Sequence, residues 1–132
     1  MPKELHPNVS ALKAIYADLR CIAEYCAPDV VLHPAERSFV SSAQPVAGRE
    51  AVLAKELDLI RLTDGSLLMD VQEIIANDSF GAVTGTLRAK KEDRTFDMPF
   101  CGLWRFRDGR IIEHWENAYD AKAFGQFLMG TA

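Results

Sequence analysis

The chain reads as an α+β protein, with helices in its first half and a run of antiparallel strands in its second. Two observations predict this. Apolar residues recur at helical spacing as far as Leu62, after which that period gives way to alternation up to Ala118. Residues 100–116, FCGLWRFRDGRIIEHWE, then hold two alternating runs joined by Asp108-Gly109. Asp-Gly at such a joint is a strong hairpin signal, because both turn residues tolerate positive φ.

The elements follow in order. Leu5, Val9, Leu12, Ile15, Tyr16 and Leu19 form the buried stripe of a first helix. Ile22, Ala23 and Cys26 extend it to Ala27-Pro28, where the proline stops it. Asp18 is a good N-cap, so a break at Ala17-Asp18 and a second short helix are expected. Residues 29–34 form a short strand, ended by Pro34, which cannot donate to a ladder. Residues 35–48 are loop-like. Gly48-Arg49-Glu50 opens the next helix, with Val52, Leu53, Leu57, Ile60 and Leu62 inside and Lys55, Glu56 and Arg61 outside. Asp64-Gly65 ends it. Strands are expected at 67–76, 80–89, 95–107 and 110–118, then a short helix or tail at 121–129. Gly81 and Gly85 lie within a strand and point to a bulge or sharp curvature. Helices ahead of an antiparallel meander pack on one of its faces. A strongly curved sheet closed by helices makes a cone whose apolar interior takes a small molecule.

Bulk properties exclude several classes. At 132 residues, without repeats or linkers, the chain is expected to be one domain, 1–132. The net charge of −4 and pI of 5.3 argue against nucleic-acid partners, which need a basic stripe. No apolar run approaches the roughly 20 residues of a membrane span. The start, MPKELHPNVS, lacks the pattern of a signal peptide, and three cysteines give no disulfide framework; a cytoplasmic location is expected. His6, His33 and His114 lack metal-ligand spacing, and there is no glycine-rich phosphate loop; neither a metal nor another cofactor is expected.

Candidate site residues cluster in the last strands. His114 and Glu116 are two apart and share a face, with Ile111, Glu113 and Trp115 on the other. Among Phe, Met and Leu, a buried Glu116 has its pKa raised by desolvation, towards the range useful for a general base. The competing role is a structural carboxylate bound to an arginine. An imidazole is able to act as acid or base at neutral pH, so His33 serves as either, or else caps a strand. His114 orients Glu116, binds ligand, or is a satisfied histidine at the pocket floor. Met98, Phe100, Gly102 and Trp104 are in phase and line the interior, with the flat Trp104 ring suited to a ring-shaped ligand. Tyr16 contributes either a hydroxyl to that interior or core packing. Trp115, facing outwards, marks a partner surface.

Three segments carry a family resemblance: PDVVLHP at 28–34, VAGREA at 46–51 and FRDGRIIEHWE at 106–116. With the element order, the chain resembles the nuclear transport factor 2-like cone fold. More closely, it resembles the SnoaL-like polyketide cyclases, whose relatives include ketosteroid isomerases. The resemblance implies a proton-abstracting carboxylate directly after His114-Trp115, here Glu116 where the cyclases have aspartate. It places Gly102 where a histidine or an aspartic acid stands, so only backbone is offered there. His33, before Pro34, takes the place of the isomerase base. It also implies a homodimer packed through the Trp115 face. The activity implied is a cofactor-free isomerase, cyclase or dehydratase that abstracts a proton next to a carbonyl of a small apolar, ring-shaped substrate. Two alternatives stand beside it: a non-catalytic small-ligand module, which Gly102 favours, and a dimeric interaction protein with a filled cone.

Overall fold

The computed structural model describes residues 6–130. Helix α1 spans Pro7–Ala17, followed by a 3-10 helix, Leu19–Tyr25. Strand β1 (Cys26–His33), a short 3-10 helix (Ala35–Ser38) and the two-residue strand β2 (Val46–Ala47) lead to helix α2 (Arg49–Leu62). Strands β3 (Leu68–Ala76), β4 (Phe80–Lys91), β5 (Arg94–Arg107) and β6 (Arg110–Ala118) precede helix α3 (Ala121–Met129). Leu5, expected on the first buried stripe, lies outside the described residues.

The local signals explain most boundaries. Asp18 does cap the second helical segment, its carboxylate accepting from the Arg20 amide. Asp64 and Gly65 end α2 with φ of 54° and 75°. Asp108 and Gly109 turn β5 into β6 with φ of 52° and 79°. One boundary differs. Pro28 does not stop a helix: β1 already begins at Cys26, and a register shift between Cys26 and Val31 absorbs the residue that cannot donate.

The sheet corrects the expected architecture. It is open and mixed, in the order β2-β1-β6-β5-β4-β3, and does not close or curl into a cone. Strands β3 to β6 form the antiparallel meander, but β1 joins β6 in parallel. The outermost strands β2 and β3 have four strands between them in that order and no pairing with each other. Gly81 and Gly85 serve close packing. A Cβ at Gly81 would stand 2.7 Å from Leu12, and one at Gly85 would collide with the Asp70 carbonyl. A register shift does lie beside Gly85, where Gln72 is the extra residue on β3.

One sheet face carries the helices and the core. Leu12, Ile15, Ile22, Val52, Val83, Trp104 and Ile111 are buried there. A third register shift, between Arg105 and Phe106, leaves Ile112 as the extra residue. Ile111 therefore turns into the core, while Glu113 and Trp115 keep the outer face; the expected grouping of all three is corrected.

Candidate functional site

Beneath the helices lies a cavity of about 410 Å³, a size that suits a small organic molecule. Its sheet wall comes from alternate residues of β5 and β6, which point inwards together. Met98, Phe100, Gly102 and Trp104 line it from β5, and His114 and Glu116 from β6. Tyr16 enters from α1, and Lys55, Glu56 and Leu59 from α2. Phe124 and Leu128 of α3 and Glu36 and Phe39 of the segment after β1 also line it. The cavity rules out the filled interior of the third alternative.

The helix α2 wall holds the residue that the sequence reading placed wrongly. Glu56 is 4% exposed, whereas Leu57, expected inside, is 43% exposed. Val52, Glu56 and Leu59 turn inwards along α2, with Thr63 buried at its C-cap, a stripe interrupted by one carboxyl. That carboxyl meets Glu116 in a side-chain hydrogen bond across the cavity wall. Two carboxylates have no donor between them, so the contact requires that one carboxyl keep its proton. Burial raises both pKa values; for Glu56 the nearby Glu116 charge raises it further. The Lys55 ammonium pulls both back. The pair therefore holds one proton, with one carboxyl donating to the other. Lys55 also reaches Glu36, at 3.5 Å.

His114 is 5% exposed and lies against the Trp104 ring, with centroids 3.4 Å apart. Its Nδ1 is 2.9 Å from the Leu103 carbonyl, which can only accept, so Nδ1 carries the hydrogen and Nε2 is a bare acceptor. Burial pushes its pKa down to about 3, and the ring is neutral at physiological pH. Burial likewise holds the Tyr16 hydroxyl protonated.

His33 is not among the cavity walls. It follows Trp115 in register onto the outer face, where its ring stacks on that indole at 5.3 Å. Its Nε2 lies 2.7 Å from Glu113, which also meets Arg105 at 3.4 Å. The structure thus brings Tyr16, Met98, Phe100, Gly102, Trp104, His114 and Glu116 together and leaves His33 apart. The Trp104 face expected to receive a ligand ring is covered on one side by His114.

The segment after β1 is tied down beside Glu116. Arg37 Nη1 donates to the carbonyls of His33, Pro34 and Glu116, at 3.0, 2.8 and 2.6 Å, and Nη2 donates to Asn117 Oδ1 at 2.6 Å. Among the described residues no group of three or more His, Cys, Asp or Glu could hold a metal ion. No helix among them is long and apolar enough to cross a membrane.

Comparison with known proteins places this geometry. The SnoaL-like domain matches residues 13–114. Bal32a, from a soil-derived mobile gene cassette, is 23% identical, with a TM-score of 0.79 over 92% of this chain and 96% of that one. TerC, co-crystallised with polyporic acid, is 23% identical, with a TM-score of 0.75 over 94% of this chain and 99% of its own. Wild-type IdmH of Streptomyces antibioticus, a candidate polyketide cyclase, is 24% identical, with a TM-score of 0.72 over 92% and 99%. Comparison with curated proteins gives no match. A family match from the middle of α1 to His114, on an α+β fold shared with these structures, shows that the chain belongs to the SnoaL-like family.

Proposed function

We propose that the cavity binds a small, apolar, ring-shaped carbonyl compound and that Glu116 removes a proton from the carbon next to the carbonyl. The observation that carries this reading is the carboxyl pair. Burial alone pushes a glutamate towards its protonated form, and two ionised ones repel. A pair with one proton keeps one carboxylate available in a dry cavity, stabilised by its neighbour's O–H. In the step, the substrate C–H bond breaks, its proton forms an O–H bond on Glu116, and the electron pair passes to the carbonyl oxygen as an enolate. Glu56 keeps its own proton throughout and positions the Glu116 carboxylate. The Lys55 ammonium limits how far burial neutralises the pair. Return of the proton to another carbon gives an isomerase; attack of the enolate on a second carbonyl gives a cyclase; loss of a neighbouring hydroxyl gives a dehydratase. His33 has no part in this step.

The relatives support the ligand class: TerC was co-crystallised with polyporic acid, and IdmH is a candidate polyketide cyclase. The outer sheet face supports a homodimer. Ile75 is 67% exposed, Phe80 57% and Leu103 41%, beside Trp115 in one groove.

The test is α-proton exchange of 2-tetralone in deuterated water, followed by proton NMR. The protein should accelerate it, and Glu116→Gln should remove at least a hundredfold of that acceleration, in line with the ~10²–10⁴ typical of general-base catalysis. Saturable binding of 2-tetralone with equal exchange in both proteins would leave the non-catalytic module.

A further inference from the structure

The cavity has a closed end and an open end. Its walls against the sheet, Ile22, Met98, Phe100, Trp104 and His114, are buried, whereas Glu36, Phe39 and Asp58 are exposed. The mouth therefore lies between α2, α3 and the segment after β1. Most of its rim is tied down. Lys55 meets Glu36 across one side, at 3.5 Å, and Asp58 is bound outwards to Arg61, at 2.5 Å. Helix α3 is held at both ends. The Asp120 carboxylate caps its first turn, and Lys91 Nζ and Arg94 Nη1 donate to the Leu128 and Phe127 carbonyls, at 2.7 and 3.0 Å. What is left is Phe39 facing Gly125. Phe39 is 45% exposed, and of the large apolar side chains that reach solvent among the described residues it alone also lines the cavity. Gly125 stands inside α3, where the backbone is helical and glycine weakens the helix relative to other residues. Outside its own helix, a Cβ there would meet only the tip of the Phe39 ring, at 3.8 Å, an ordinary contact. Neither the backbone nor the neighbouring atoms call for a glycine. Its effect is an opening beside Phe39 at the mouth.

We propose that the ligand enters and leaves edge-on between Phe39 and Gly125, and that the missing side chain at position 125 sets the size of ring that passes. The Phe39 backbone is fixed by its amide, which donates to the Glu36 carbonyl at 3.1 Å, and Arg37 anchors the same turn. The port thus widens by rotation of the Phe39 side chain, without unfolding of the segment; exposed side chains change rotamer within nanoseconds. On the other side the bare helix backbone at Gly125 presents no obstacle to a flat ring. A group met only in passage raises the barrier in both directions equally, so it changes association and dissociation together and leaves the affinity. A group that holds the bound ligand changes dissociation above all. The port rests on the cavity being a small-molecule site and not on proton transfer taking place there.

The test is stopped-flow fluorescence with prodan, a neutral naphthyl ketone dye whose emission reports burial. Phe39→Ala should raise both the association and the dissociation rate constant about tenfold, and Gly125→Leu should lower both about tenfold, with the affinity within about threefold of wild type in each. Leucine is a good helix former, so Gly125→Leu should not lower Tm, and its slower exchange then has no cause in unfolding. Unchanged rates in either variant, with the dye still bound, would overturn the port and leave the cavity as the binding site. So would an affinity loss carried by dissociation alone, which would make the residue a wall of the site and not its entrance. Failure of the wild type to bind the dye would overturn the cavity reading and the port together.

Discussion

Replacing Glu56 by glutamine isolates the shared proton. The amide can still donate to Glu116, but position 56 no longer titrates. In the native protein, Glu56 is held well above its ordinary 4.5, first by burial and then by the Glu116 charge. A carboxyl raised in the fold contributes stability that is complete below the unfolded pKa and is lost as pH rises towards the folded one. Above the unfolded value of 4.5 the wild type therefore loses roughly 1 kcal/mol per pH unit that Glu56→Gln does not lose, for as long as the folded carboxyl keeps its proton. His114 acts in the opposite sense. Its pKa falls from 6.5 to about 3, so the stability it contributes is present above 6.5 and lost as pH falls. Both proteins carry His114, and the difference between them cancels it. The assay is urea unfolding of both proteins in steps of about one pH unit, from about pH 4.5 to 6.5, with m held common. The stability difference should shift in favour of glutamine with each step. A difference that stays constant across that range would mean that Glu56 ionises as an ordinary surface carboxyl and that no proton is shared.

Further outcomes follow from single contacts. Gly102→Ala forces a Cβ against the Tyr16 hydroxyl and should cost about 1–3 kcal/mol, read as a lower Tm; an unchanged Tm would contradict the packing. Arg37→Ala removes four hydrogen bonds and should cost about 2–3 kcal/mol, with faster amide exchange confined to residues 33–40; global loss of protection without a local effect would argue against an anchoring role. Leu103→Asp buries a charge in the proposed subunit contact and should give a monomer in sedimentation velocity, whereas a persistent dimer would move the interface elsewhere. His33→Ala should leave 2-tetralone exchange within about threefold of wild type, because His33 and the carboxyl pair lie on opposite sheet faces; a hundredfold loss would return His33 to the mechanism.

The legible parts of the sequence were those with short-range causes. The β5–β6 turn follows from Asp108-Gly109, and the inward phase of Met98, Phe100, Gly102 and Trp104 follows from a strand without interruption. His114 and Glu116 share a face for the same reason. What was hidden depended on insertions and on distant partners. The extra residue Ile112 reverses the phase between Ile111 and Glu113, and nothing local marks it. The parallel pairing of β1 with β6 joins segments about eighty residues apart, so periodicity in neither could reveal it, nor could it show that the sheet stays open. On sequence Glu56 reads as exposed, because a charge on a helix normally is. Its inward position makes sense only once Glu116 faces it, and the one available signal was its place four residues after Val52 on the same helix face. His33 looked like a pocket residue from its place before Pro34, but its register beside Trp115 turns it outwards.

The central claim, that two carboxyls in the cavity hold one proton, is tested most directly by carbon NMR. Glutamate labelled with ¹³C at the side-chain carboxyl would be followed through a pH titration, with Glu56→Gln and Glu116→Gln assigning the pair. The account predicts that, near neutral pH, one of the two resonances keeps the shift of a protonated acid and that each substitution changes the titration of the partner. Two carboxyls that ionise independently near the ordinary glutamate pKa of 4.5 would contradict it, and with it the role given to Glu116.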